Sequence, residues 1–305
     1  MSGLIAATAA ALAAAPALMI ANPVILETRQ APSLAIAEDV DTIAGRSDAI
    51  DRMTVPVAVQ GNGPYRFLLD TGSQRTVLST AVAARLALRQ GPEVKVIGIA
   101  GSGRVATAHV DEIAFGQQSV AGLVVPLLED QHMGADGIIG TDSLEGQRVV
   151  FDFARQTIAI GTPREMGSTS SYEIVVKARR RSGRLILTNA LIDGIRTDVV
   201  VDTGAQGTIG NLALQKALRQ RATATGLLTS ATGQTLPADF SVAGTLRLGP
   251  LQVANVMIAY ADGPAFTELK LHDKPAIFLG MHELRAFKRI AIDFATRKVF
   301  FDLNQ

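Results

Sequence analysis

Two acidic residues, Asp70 and Asp202, end closely similar stretches: Phe67-Leu68-Leu69-Asp70-Thr71-Gly72-Ser73 and Val199-Val200-Val201-Asp202-Thr203-Gly204-Ala205. Each is an apolar run rich in Val and Leu, as a buried strand requires, followed by an acid and a turn. A carboxylate at the end of a buried strand is costly unless it is hydrogen-bonded or paired. Two such carboxylates, presented by matching strand-turn units, can face each other and share one proton, so that one acts as base and the other as acid. The chemistry this predicts is attack of water on a carbonyl, with no metal, cofactor or covalent intermediate required. A lone Asp-Thr-Gly signals only a turn. The duplication makes the case.

The elements around the two acids repeat as well. Aligning the copies without gaps sets Val57-Ala58-Val59 opposite Asn189-Ala190-Leu191, and Gly61-Asn62-Gly63-Pro64 opposite Asp193-Gly194-Ile195-Arg196. Both segments read as strand, tight turn, strand, a hairpin that delivers the acid at the end of its second strand. A short helix is predicted after each acid, over Ser79 to Leu88 and Asn211 to Arg219. Each half closes on a similar pattern, Gly137-Ile138-Ile139-Gly140-Thr141-Asp142-Ser143-Leu144 and Ile277-Phe278-Leu279-Gly280-Met281-His282-Glu283-Leu284. Val150-Phe151-Asp152-Phe153-Ala154 and Ala291-Ile292-Asp293-Phe294-Ala295 follow, each running into an alternating strand. Two copies at so long a period mean a duplicated lobe rather than a solenoid. Thr162 to Ser171, with Pro163, Gly167 and five Ser/Thr, reads as the linker. The expected architecture is all-β, two β-barrel lobes with a central cleft: a lead-in over residues 1–41, an N-terminal lobe over 42–165 and a C-terminal lobe over 166–305.

With 305 residues, 48% hydrophobic and 19% charged, the chain can bury a sizeable core. Its net charge of +1 gives no electrostatic reason to expect a nucleic-acid partner. The absence of Cys excludes disulfides, thiolate zinc sites and a Cys nucleophile. Leu4 to Ala21 is uncharged, apolar and Ala-rich, the composition of a secretory signal, with small residues at Ala15-Pro16-Ala17 and Ala35-Ile36-Ala37. No Lys or Arg precedes Arg29, and the run is about long enough to span a bilayer, so an uncleaved membrane anchor is the alternative. Either reading places the protein in the periplasm or outside the cell.

The pattern resembles the aspartic peptidases of the retropepsin and pepsin type, and more specifically bacterial retropepsin-like proteases. The two Asp-Thr-Gly units, the motifs Ile138-Ile139-Gly140 and Phe278-Leu279-Gly280, and the segment Val96-Ile97-Gly98-Ile99-Ala100-Gly101-Ser102-Gly103 carry the likeness, which covers roughly residues 47 to 303. The resemblance implies that Asp70 and Asp202 are catalytic. It implies that Thr71 and Thr203 hydrogen-bond across to the opposite lobe, and that Gly72 and Gly204 let backbone N–H groups reach the carboxylates, with Ser73 and Ala205 completing the loops. Ile97, Gly98, Ile99, Ala100 and Gly101 would form a flap over the substrate, without the Tyr of pepsins. Thr229-Ser230-Ala231-Thr232-Gly233-Gln234, at the corresponding place in the second half, reads as a poorer flap or as a plain surface hairpin.

Other features carry structural readings. His109, His132, His272 and His282 lack metal-ligand spacing and read as surface or turn residues. Ser73 and Ser143 sit in no nucleophile elbow. Asp152 and Asp293 read as turn-forming. Lys177-Ala178-Arg179-Arg180-Arg181 with Arg184 reads as a solvated basic edge. Because Ser73 follows one Asp-Thr-Gly where Ala205 follows the other, a Ser73 hydroxyl donated to Asp70 is expected to make Asp70 the more acidic partner. The expected activity is that of a monomeric aspartic endopeptidase acting on a peptide or protein. The competing reading is a non-catalytic periplasmic protein of the same fold that holds a peptide in its cleft.

Overall fold

In the computed structural model the described residues are 42–47 and 52–303, together with three short strands of backbone, Leu4–Ala6, Ala10–Ala13 and Val24–Ile25. The signal or anchor reading of Leu4 to Ala21, and the lead-in that follows, otherwise lie outside the described residues. No helix among the described residues is long and apolar enough to cross a membrane.

Strands β1 (Met53–Val59) and β2 (Asn62–Leu69) form the first predicted hairpin. Its turn is Gln60-Gly61, both at positive φ, the conformation that matches the twist of a two-residue hairpin. Next come β3 (Val77–Ser79) and α1 (Thr80–Arg85), whose N-terminus is capped by the Ser79 hydroxyl accepting from Val82 N–H. Then follow β4 (Gln90–Ile97), β5 (Ser102–Phe115), β6 (Gln118–Leu128), α2 (Asp130–Met133) and β7 (Gly137–Ile139). The sheet order is β4-β5-β6-β3-β7-β2-β1, and an extra β5–β1 pairing curls it into a barrel-like lobe.

Two strands, β8 (Arg148–Asp152) and β9 (Thr157–Gly161), lead through residues 162–171 to β10 (Ile174–Lys177) and the short edge strand β11 (Arg179–Arg181). The second half then repeats the first. Its hairpin β12 (Arg184–Ile192) and β13 (Ile195–Val201) turns at Asp193-Gly194, again both at positive φ. Gly61 therefore corresponds to Gly194 rather than to Asp193, so the gapless alignment slips by one residue inside the hairpin. After β14 (Thr208–Gly210), α3 (Leu212–Leu218) is capped by Asn211. Strands β15 (Ala224–Ser230), β16 (Thr235–Leu248) and β17 (Leu251–Tyr260), helix α4 (Pro264–Glu268) and strand β18 (Ala276–Leu279) complete the repeat, in the order β11-β12-β13-β18-β14-β17-β16-β15.

Helix α5 (Met281–Leu284) precedes the last two strands, β19 (Phe287–Asp293) and β20 (Lys298–Leu303). These join the first half in one six-stranded sheet, β10-β20-β19-β8-β9 with Thr42–Ala44 at its edge. β8 pairs with β19 over its whole length, from Arg148 opposite Asp293 to Asp152 opposite Arg289. Arg148 donates through Nε and Nη2 to Asp293 Oδ2 at 3.0 and 2.9 Å, with both side chains buried. Asp293 Oδ1 accepts the N–H of Thr296 and Asp152 Oδ1 that of Arg155, the turn roles expected of them.

The hydrophobic-hydrophobic-Gly strands position the acids. β7 runs parallel to β2 and β18 parallel to β13. Asp70 N–H donates to Ile139 O, and Asp202 N–H to Leu279 O, each at 3.0 Å. A side chain at Gly140 would stand 2.3 Å from the Arg75 backbone, and one at Gly280 the same distance from Gly207, so only glycine lets each loop pass that closely.

Candidate active site

Asp70 and Asp202 are brought together at the centre of the molecule and are almost fully buried. The two loops are matched. Asp70 Oδ1 accepts Gly72 N–H at 2.8 Å and Ser73 N–H at 2.9 Å. Asp202 Oδ1 accepts Gly204 N–H at 3.0 Å and Ala205 N–H at 3.1 Å. The other oxygen of each carboxyl, Oδ2, takes no N–H or O–H donor among the described residues. Instead the carboxyls lie within hydrogen-bond reach of each other. A side chain at Gly204 would sit 2.2 Å from Asp70 Cγ, so glycine there is what lets the carboxyl reach across.

The threonines tie the loops beneath the acids. The Thr71 hydroxyl donates to Val201 O at 2.8 Å and the Thr203 hydroxyl to Leu69 O at 2.6 Å. Each hydroxyl also accepts the backbone N–H of the other threonine, at 3.1 and 3.2 Å. All four bonds cross between halves, and all are buried.

Burial pushes both carboxyls above the usual carboxylate range. For Asp202 the negative charge of Asp70 adds to burial and takes it well above its ordinary value. For Asp70 the Gly72 N–H and then the Arg184 guanidinium oppose burial. Two facing carboxyls in this setting hold one proton as a pair, and the proton is weighted toward Asp202. That weighting has the expected direction, but its expected cause is overturned. The Ser73 hydroxyl donates to Arg75 O at 2.9 Å, and Ser73 serves Asp70 only through its backbone N–H, as Ala205 serves Asp202.

The turn Gly98-Ile99-Ala100-Gly101 joins β4 to β5, closed by Gly98 N–H donating to Gly101 O at 2.8 Å. Ile97 is buried beside it, and Ile99 and Ala100 reach across into the second half, packing in a cluster with Ile209, Ala261, Ala265 and Phe266. The hairpin at 229–234 is not a surface feature. Its tip residue Ala231 is buried among Leu68, Val77, Met133 and Ile138 of the first half. Gln234 Nε2 donates to Ser102 O at 3.1 Å, linking the two hairpins directly. Each half thus sends a tip into the other. The second reads as the poorer flap in sequence because Ala231-Thr232-Gly233 lacks the glycine density that marks the first.

No cluster of His, Asp and Glu suited to a metal ion occurs among the described residues. Two functional candidates are not picked out by the sequence. Arg52 and Arg184, at 2% and 0% exposure, are buried arginines at the entrance of the two acid-bearing hairpins. The solvated-edge reading of Arg184 is corrected: Arg179–Arg181 are exposed, but Arg184 is not. Both arginines stand eighteen residues before their aspartates, a coincidence of the repeat that was the available signal.

Duplicated barrel-like lobes, a shared sheet and two Asp-Thr-Gly loops facing across a pseudo-twofold define a two-lobed acid-protease fold. The chain belongs to the aspartyl protease family, whose model matches residues 55–143 and 188–282, one match in each half. It is a retropepsin-like member with both lobes in one chain. No curated protein matches the sequence.

Proposed function

We propose that the protein is a single-chain aspartic endopeptidase, with Asp70 and Asp202 as its catalytic residues. One observation carries the reading: two buried carboxyls in mutual hydrogen-bond reach, each with two N–H donors on Oδ1 and none on Oδ2. The two Oδ2 atoms are therefore the ones available to a reacting water. Asp70, the charged partner, takes a proton from water as its oxygen adds to the scissile carbonyl carbon. Asp202 delivers its proton to the carbonyl oxygen, giving a neutral gem-diol. Asp70 then gives its proton to the amide nitrogen while Asp202 takes one from a gem-diol hydroxyl. The C–N bond breaks, and an acid and an amine leave with the dyad back in its starting state. An extended peptide would lie beneath the tip residues 98–101 and pair its backbone with β4.

The test is hydrolysis of an unfolded protein by the purified chain, followed by mass spectrometry of the products. Turnover that is lost in Asp70→Asn and in Asp202→Asn is expected. Tight peptide binding with no cleavage in the intact chain would overturn the proposal in favour of a peptide-holding protein.

A further inference from the structure

Arg52 and Arg184 lie at matching places before β1 and at the start of β12, and each reaches into the opposite acid loop. Arg184 Nε donates to Gly72 O at 2.5 Å, in the loop of Asp70. Arg52 Nη1 lies 3.5 Å from Gly204 O, in the loop of Asp202, while its Nη2 donates to Met133 O at 2.6 Å. The glycines they hold are the same two whose N–H groups point at the aspartates. The contacts cross: the hairpin that carries one aspartate braces the loop of the other.

The cross is also lopsided. Arg184 makes the short contact and is wholly buried, whereas Arg52 makes the long one and also donates to Met133 O. A guanidinium as deeply buried as that of Arg184 is an expensive group, retained where its charge or its geometry is used. Its surroundings supply negative charge from Asp70, Asp202 and Glu268.

We propose that Arg52 and Arg184 are a crossed pair of positioning residues for the proposed dyad, and that Arg184, behind the Asp70 loop, fixes the negative charge of the pair on Asp70. The inference rests on the peptidase reading for its catalytic part only. A cation nearer one of two equivalent carboxyls breaks their symmetry, because it stabilises the ionised form of the nearer one more. Burial lowers the Arg184 pKa to about 10, so it remains charged at any pH where the dyad titrates. Among the charged groups around the dyad, Arg52 sits behind the Asp202 loop and Glu268 acts on Arg184; Arg184 itself acts on both carboxyls, more strongly on Asp70, whose loop it holds.

The experiment compares the full chain with its Arg184→Gln, Arg184→Lys and Arg52→Gln variants. Carboxyl titration is followed by carbon-13 NMR of labelled aspartates, assigned with Asp70→Asn and Asp202→Asn, and kcat and KM are measured against pH on one peptide. In Arg184→Gln the first dyad titration and the acid limb should both move upward. Its kcat should fall ~10- to 100-fold, in line with a small misplacement of reacting groups, while KM changes little. Arg184→Lys should keep the titration and lose kcat, since it retains the charge but not the planar donor. Arg52→Gln should lower kcat without moving the titration. An Arg184→Gln titration identical to that of the intact chain, or one matched by Arg52→Gln, overturns the proposal. If Arg184→Gln does not fold, Arg184→Lys decides: a titration shifted with kcat intact also overturns it. Failure of both to fold would make Arg184 a plain core residue. An intact chain that hydrolyses nothing, yet whose dyad titration depends on Arg184, would sink the peptidase reading and leave the charge assignment standing.

Discussion

At the scale of single residues, the site sets a buried charge against backbone donors. Folding raises the pKa of both carboxyls, so the folded chain binds more protons than the unfolded one above the ordinary carboxylate pKa, and this term makes stability fall as pH rises. Asp202→Asn removes the larger part of it. That variant should lose activity by ~100-fold or more, the usual worth of acid–base assistance. Its thermal midpoint should nevertheless fall less than that of the intact chain between pH 5 and pH 8, as read by calorimetry. Ser73→Ala should leave the acid limb of the pH–rate profile where it is, because the hydroxyl is committed to Arg75 O. A third carboxyl behaves like the dyad without belonging to it. Glu283, buried behind Gly280, is pushed up to about 7 by burial, with the Thr208 hydroxyl donating to it at 2.5 Å as partial compensation. Its penalty grows as pH rises from the ordinary Glu range to about 7 and is complete above that. Glu283→Gln should therefore stabilise the chain at pH 8 by at most about 3 kcal/mol and hardly at all at pH 4, measured by denaturant unfolding.

At the scale of elements, the two crossing hairpins decide access to the acids. With Ile99 and Ala231 each buried in the other half, a peptide reaches the dyad only when at least one tip lifts. Ile99→Ala removes apolar contacts worth about 2–5 kcal/mol in a well-packed site. Amide hydrogen exchange at residues 97–103 should accelerate markedly while that of β2 and β13 stays unchanged; equal protection in the variant would mean that the tip is not the latch. Here the limits of the sequence are plain. Strand, turn and acid were readable because a buried strand leaves a continuous apolar run and a two-residue hairpin leaves Gln60-Gly61 and Asp193-Gly194. The helix caps Ser79 and Asn211 were readable for the same local reason. The Ser73 hydroxyl, the burial of Arg184 and the docking of Ala231 were not, since each depends on a partner more than a hundred residues away or on a rotamer choice that no local pattern records.

At the scale of the whole molecule, the six-stranded sheet makes the halves one thermodynamic body. β8 and β19 are antiparallel neighbours from different halves, and the buried Arg148–Asp293 pair sits between them. Removing one partner strands the other charge, a loss of about 3–5 kcal/mol in comparable buried pairs. Arg148→Ala should accordingly lower the unfolding midpoint of both halves together in a single calorimetric transition. Two separate transitions, with only one displaced, would show that the lobes unfold independently.

The four crossed bonds of Thr71 and Thr203 carry a consequence for how such a chain can change over generations. Each threonine hydroxyl both donates to and accepts from the opposite half, so a replacement at either leaves an orphaned carbonyl and an orphaned N–H in the copy that did not mutate. Duplicated genes ordinarily drift apart once one copy is relieved of duty. In this chain neither copy of the loop is ever relieved, because each is structurally completed by its twin. The hairpin tips are under no such reciprocity, since Ile99 and Ala231 fill different hollows. Between the two halves of this chain the tips accordingly differ while the Asp-Thr-Gly units are the same, as two halves that complete each other would require.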